Sequence, residues 1–260
     1  MTLTARPLAA FDLETTGPNP HADRIVTANL TTIATDPNGV VQINGRNWLL
    51  DPGIEIPEGA AAVHGITTEH ARDNGQDYAT GLAEIGLAVA DAWNRNHVLV
   101  VYNAAFDMTM LHHEHLRVFP DDIEGRKPVG FPAYGTIVDP FVIDKAFDQY
   151  RKGKRTLTAA CEHYGVKLGN AHEAEADAIA AARLAWVMLR RYNLDTASHE
   201  QIMREQTRWY AEQADGLARY WRKKARSLDG DERAQLLEQA ATIRTEWPIA
   251  NPTTQKETAA

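Results

Sequence analysis

The chain has 260 residues, 44% of them hydrophobic, and a formal net charge of -8. That length suits one large α/β domain, alone or with an appendage, and that hydrophobic share excludes wholesale disorder. The acidity excludes coating nucleic acid by bulk positive charge. With no apolar run near the ~20 residues that span a bilayer and a single cysteine, Cys161, a cytoplasmic chain without an intrachain disulfide is expected.

Leu8–Leu13 reads as a short strand that ends in the turn Thr15-Thr16-Gly17-Pro18. Ile25–Thr35 is rich in β-branched residues and reads as a second strand. Asp36-Pro37-Asn38-Gly39 is a hairpin signal, which makes Val41–Leu50 a third. Leu82, Ile85, Val89 and Trp93 give Asp77–Asn94 a helical period. His97–Tyr102 contains the run Val98, Leu99, Val100, Val101 and reads as a short buried strand. Ala104–Leu116 reads as a helix, and Val118–Gly135, with three prolines and three glycines, as a surface loop. Thr136–Pro140 follows as a strand, then helices over Thr156–Tyr164 and Glu173–Tyr192. A three-strand meander followed by strands alternating with helices predicts an α/β fold with a mixed sheet flanked by helices.

Beyond Asn193 the sequence reads as helix only. Tyr210, Ala214, Leu217, Trp221, Lys224 and Leu228 alternate steps of four and three, a helical seam. Asp229-Gly230-Asp231-Glu232 stops that helix, and Asp229 with Glu232 can cap the next, on which Leu236, Ala240, Ile243 and Trp247 fall. The expectation is a main domain over 1–193, a helical hairpin over 194–250 and a frayed tail over 251–260. Residues 1–196 hold 17 Lys/Arg against 25 Asp/Glu, whereas residues 197–260 hold 10 of each, so the acidity belongs to the first part.

The acids are not scattered. Asp12 and Glu14 are two apart on a predicted strand and share one face. Side by side in a sheet centre they repel unless a cation lies between them, and hard divalent Mg²⁺ or Mn²⁺ fits all-oxygen ligands. Asp107 falls in the first turn of a helix after a buried strand, within Asn103-Ala104-Ala105-Phe106-Asp107. Asp177 opens the helix that follows His172. Alone, each acid at a helix start simply complements the helix dipole. Together they make four carboxylates and a histidine from three sheet-associated segments.

In these segments the chain resembles the DnaQ-like, polymerase III epsilon-type 3′–5′ exonucleases, the histidine-containing branch of the DEDD superfamily. Asp12 to Gly17 matches the first motif, Asn103 to Asp107 the second, and His172 with Asp177 the third. Val63-His64-Gly65-Ile66-Thr67 matches a further epsilon-type segment. The resemblance covers about residues 8–192. It implies a ribonuclease H-like fold and two-metal hydrolysis of the terminal phosphodiester of DNA, releasing nucleoside 5′-monophosphates. In that scheme Asp12, Glu14, Asp107 and Asp177 hold two Mg²⁺ or Mn²⁺ ions and His172 is the general base. Thr15, His64, Asn103 and Phe106 contact the 3′ end of a single-stranded or frayed nucleic acid. An RNA-directed member of the superfamily is the alternative. So is a proofreading subunit that docks a polymerase, or pairs with itself, through the C-terminal helices; no membrane is expected.

Two further clusters have blander readings. Arg151-Lys152-Gly153-Lys154-Arg155 can contact backbone phosphate or form a solvated loop. His112, His113 and His115 read as a solvated helix face.

Overall fold

The computed structural model of the chain describes residues 2–120, 135–167 and 174–251. Its strands are β1 (Leu8–Thr15), β2 (Ile25–Thr35), β3 (Val41–Leu49), β4 (Val98–Val100) and β5 (Ile137–Val138). Its α-helices are α1 (Glu58–His64), α2 (Thr68–Asn74), α3 (Tyr78–Asn94), α4 (Ala104–Val118), α5 (Pro140–Phe147), α6 (Leu157–Tyr164), α7 (Ala174–Arg191), α8 (His199–Ala225) and α9 (Gly230–Thr242). The five strands form one sheet in the order β3-β2-β1-β4-β5. β1–β3 are antiparallel, as the hairpin signals predict, and β4 and β5 run parallel to β1. The predicted loop over Val118–Gly135 lies almost wholly outside the described residues, as does most of the tail over 251–260.

Register explains the layering. Phe11 pairs with Leu30, and Leu30 faces α3 beside Ala88 and Ala92. Leu8 pairs with Ile33, and both face α7 beside Ile179, Ala182 and Trp186. Side chains alternate along a strand, so Leu8, Ala10, Asp12 and Glu14 all belong to the α7 face. The catalytic acids predicted on β1 thus point to the layer that carries Asp177.

The extension departs from the predicted seam. The buried residues of α8 are Ile202, Gln206, Trp209, Ala214, Ala218 and Ala225, whereas Leu217 is 40% exposed. The reason is a change of partner: the first half of α8 packs on β5 and α5, and α9 also packs on α8. Asp229 is the N-cap of α9 but makes no side-chain cap hydrogen bond. Nor do Ile243 and Trp247 lie on that helix, which ends at Thr242. Trp247 is on the return segment and is buried in the main core with Ile202 and Trp209.

Polar contacts tie the same elements together. The Gln206 side chain accepts the Asp139 N–H at 2.7 Å and donates to the Ile137 carbonyl at 2.8 Å. Deleting residues 194–260 removes these bonds and two core tryptophans. A fully buried large apolar side chain contributes about 1.5–3 kcal/mol, so the loss is a large share of a domain's ~5–15 kcal/mol. A chain ending at Asn193 is predicted to melt at least 10 °C lower or to aggregate. Calorimetry with light scattering checks this, and unchanged melting would show that the extension stabilises nothing.

Candidate active site

β1 ends at the turn that carries the first motif. Glycine at position 17 leaves room for Asp23, whose Oδ2 would lie 2.5 Å from a Cβ there. Asp23 holds the turn by accepting the Asn19 N–H at 2.7 Å. Just before it, Asp12 and Glu14 project half-buried from the α7 face, and Asp177 comes from the first turn of α7. These three, with His64, line one cleft of about 600 Å³. Asp107 is buried behind them, in the first turn of α4, and its Oδ1 accepts the Leu13 N–H at 3.1 Å. That bond fastens α4 to β1 between the two strand acids.

The electrostatics follow from crowding. Burial, then Glu14 and Asp177, pushes the Asp12 carboxyl up to about 7. Burial and Asp177 raise Glu14. Burial and Asp12 raise Asp107 well above the usual carboxylate range, despite the Leu13 N–H. Among the described residues no group of three His, Cys, Asp or Glu side chains is gathered closely enough to hold a metal ion by itself. The donor set nevertheless fits a hard divalent cation: carboxylate oxygens only, in a repulsion that a cation relieves.

The predicted substrate contacts divide. His64 ends α1, ahead of the left-handed Gly65, and its Nδ1 accepts the Ile66 N–H at 3.2 Å. Burial lowers its pKa, a contact with the Thr15 backbone opposes that shift, and its enclosed Nε2 has no hydrogen-bond partner among the described residues. Thr15 is buried at the strand end, and its hydroxyl donates to the Gly17 carbonyl at 2.7 Å. Asn103 and Phe106 line a different cleft, beside the extension. Asn103 has a left-handed backbone, φ 71°, a conformation asparagine tolerates. His172 lies outside the described residues.

Some polar groups escape sequence reading because their partners are set by register. Asn29 is buried directly opposite Asp12, and Asn47 is opposite Asn29. The Thr31 hydroxyl donates to Asn29 Oδ1 at 2.9 Å, and Asn29 Nδ2 donates to Asn47 Oδ1 at 2.7 Å. This chain of bonds leaves the Asn47 NH₂ group for the cleft, which Asn47 lines. The basic loop is also not what its composition suggests. Arg151 and Arg155 are both turned inward onto the fully buried Asp144, at 2.7 and 2.5 Å. Only Lys152 and Lys154 remain as exposed cations there. His113 is no solvated residue either, since its Nε2 donates to the Ala250 carbonyl at 3.0 Å.

These shifts fix a pH dependence. A carboxyl with a raised folded pKa binds its proton more tightly when folded. Its contribution to stability is complete below the unfolded pKa near 4 and is lost as pH rises through the folded value, about 7 for Asp12. The metal-free protein is therefore predicted to melt progressively lower between about pH 4 and pH 7. Asp12→Asn should flatten that slope and raise the melting temperature at pH 8. A wild-type melting temperature that climbs over this window would contradict the crowding.

Residues 9–185 match the RNase_T family, described as exonuclease. The chain is 27% identical, over 214 residues and 78% of each chain, to DNA polymerase III subunit epsilon of Buchnera aphidicola subsp. Acyrthosiphon pisum (strain APS). Among solved structures it resembles E. coli Exonuclease I in complex with a dT13 oligonucleotide, with a TM-score of 0.55 and 20% identity over 73% of this chain and 43% of that one. A moderately thermophilic Exonuclease I from Methylocaldum szegediense gives a TM-score of 0.53 and 19% identity, covering 72% and 41%. The chain thus spans less than half the length of the Exonuclease I chains, whose likeness establishes the ribonuclease H-like fold. The chain therefore belongs to the RNase_T exonuclease family, one of the DEDD-type 3′–5′ exonucleases.

Proposed function

We propose that the chain hydrolyses the terminal phosphodiester at the 3′ end of single-stranded or frayed DNA, with two Mg²⁺ or Mn²⁺ ions bound, and releases nucleoside 5′-monophosphates. The observation that carries this reading is the repulsion among Asp12, Glu14, Asp107 and Asp177 at one end of β1. Asp12, Glu14 and Asp177 would hold one ion, and Asp12 with Asp107 the other. Bound divalent cations supply Lewis-acid stabilisation of the attacking and leaving oxygens.

The chain's own residues do the rest. His172 takes a proton from the attacking water as the bond from phosphorus to the 3′ oxygen breaks. His64 Nε2 and the Asn47 NH₂ group face the terminal nucleotide, with the Thr15 backbone beside its 3′ end. Asn103 and Phe106 contact the strand just beyond. DNA is favoured over RNA by the His64–Thr67 segment and by the similarity to a DNA polymerase subunit. That similarity also favours a second reading, in which the chain docks on a polymerase as well.

Digestion of matched 5′-labelled DNA and RNA oligonucleotides with Mg²⁺ tests the reading. The DNA should shorten stepwise into a ladder, and chelator should stop it. Immediate release of the 5′ label as a mononucleotide would reverse the polarity, and a faster RNA ladder would move the chain to the RNA-directed alternative. His172→Ala is predicted to lower kcat about 10²–10⁴-fold, the range for losing a positioned base. Mn²⁺ affinity should hardly change, and the acid limb of the pH–rate profile should vanish. Wild-type turnover in that variant would remove His172 from the mechanism.

A further inference from the structure

The cleft lined by Asn103 and Phe106 has a volume of about 730 Å³, and its far wall is built by the C-terminal extension. Tyr210 of α8, Thr242 at the end of α9 and Arg244 just after it face His21 and Asn19 of the first-motif turn. The RNase_T match ends at residue 185, so this wall lies outside the family region. Both clefts are lined by chain neighbours of Leu13 and Asp107, whose backbone N–H and carboxylate bond to each other. Asp12 and Glu14 line the first, Asn103 and Phe106 the second.

The wall is fixed in place. The Ala250 N–H donates to Thr109 Oγ1 at 2.9 Å, and the Ala250 carbonyl accepts from His113. The Trp247 indole N–H donates to Asp139 Oδ2 at 3.4 Å. His113 in turn packs edge-on against His21, with ring centroids 4.4 Å apart. The chemistry of the cleft is that of a nucleotide holder. His21, Phe106 and Tyr210 supply ring faces, Asn19 and Asn103 supply amides, and Arg244 supplies a guanidinium. The enclosed Nδ1 of His21 has no hydrogen-bond partner among the described residues. Arg244 and Glu246 both act on His21, and of the two only Arg244 lines the cleft.

We propose that this second cleft holds the strand upstream of the scissile bond, with Arg244 on a backbone phosphate and a base against Tyr210 and His21. The extension is then a strand-binding element that supplies a cation to a cleft whose lining from the family region holds no lysine or arginine. This rests on the 3′–5′ exonuclease reading above. It predicts that length and salt dependence reside in the extension, while the hydrolytic step does not.

The test compares two substrates on the full-length protein with Mn²⁺. The p-nitrophenyl ester of thymidine 5′-monophosphate has the terminal nucleotide and its phosphate, but p-nitrophenyl replaces the upstream strand. A single-stranded 12-mer has the whole strand. Arg244→Gln should raise KM for the 12-mer about tenfold and leave kcat/KM for the ester unchanged. One phosphate contact fewer should make the plot of log(kcat/KM) for the 12-mer against log salt shallower by about 0.7. Arg244→Lys should restore most of the affinity. Thr242→Glu, an exposed change on the same wall, should raise KM for the 12-mer alone even if the arginine variant folds poorly. Equal losses on both substrates, or no loss on either in both variants, would overturn the assignment. A wild-type protein inert on both substrates would instead overturn the exonuclease reading beneath it, and this inference with it.

Discussion

Asp139 stands at the end of β5, fully buried, and joins three parts of the fold. Its carboxylate accepts the N–H groups of Asn103 at 3.0 Å, Ala104 at 2.9 Å and Phe141 at 2.9 Å, together with the Trp247 indole. It therefore caps α5, braces the entry to α4 and catches the return segment of the extension. Burial still pushes its pKa up to about 6, so these donors only partly offset the loss of water. Hydrogen bonds to a charged group contribute about 1.5–3 kcal/mol each. Without them the left-handed Asn103 would lose its support, and the first turn of α4 carries Asp107. Placement of the buried acid of the site thus depends on a second buried acid that touches no substrate.

The same logic runs across the sheet. Strand alternation puts Asp12 and Glu14 on the α7 face, and register sets Asn29 and Asn47 in line with Asp12. A row of polar groups replaces what would be apolar packing on a buried strand. The fold tolerates it because Asn29 bonds to Thr31 through its oxygen and to Asn47 through its nitrogen. Phe11 and Leu13, on the opposite face, keep their place in the core. The site is therefore a local violation of the rule that buried strands are apolar, stabilised from the other face of the same strand. Such violations mark functional sites more often than errors.

Much of this was legible in the chain. Strand period and the Asn38-Gly39 turn located β1–β3, and the short apolar run Val98–Val101 located β4. The motif spacing brought Asp12, Glu14 and Asp177 to one cleft, as a two-residue strand step and a helix start allow. What was not legible depended on distant partners. In the sequence Asp139 reads only as part of the strand Thr136–Pro140, and nothing nearby points to its role as the N-cap of α5 or to Asn103 or Trp247. Arg151 and Arg155 look like a solvated basic loop until Asp144 is seen beneath them. The seam on α8 was misplaced because that helix changes partner along its length, which a single periodicity cannot express. The spacing of Trp247 continues the helical pattern of Leu236 and Ala240, although the chain leaves the helix at Thr242.

The claim on which the rest stands is that the acids crowded at the end of β1 are a divalent-cation site. Calorimetric titration of the full chain with Mn²⁺ at pH 8 tests it most directly. The account predicts two ions per chain for the wild type and no saturable binding for Asp12→Asn, whose fold is retained. A wild-type titration without saturable binding at millimolar Mn²⁺, or an unchanged stoichiometry in Asp12→Asn, would contradict it.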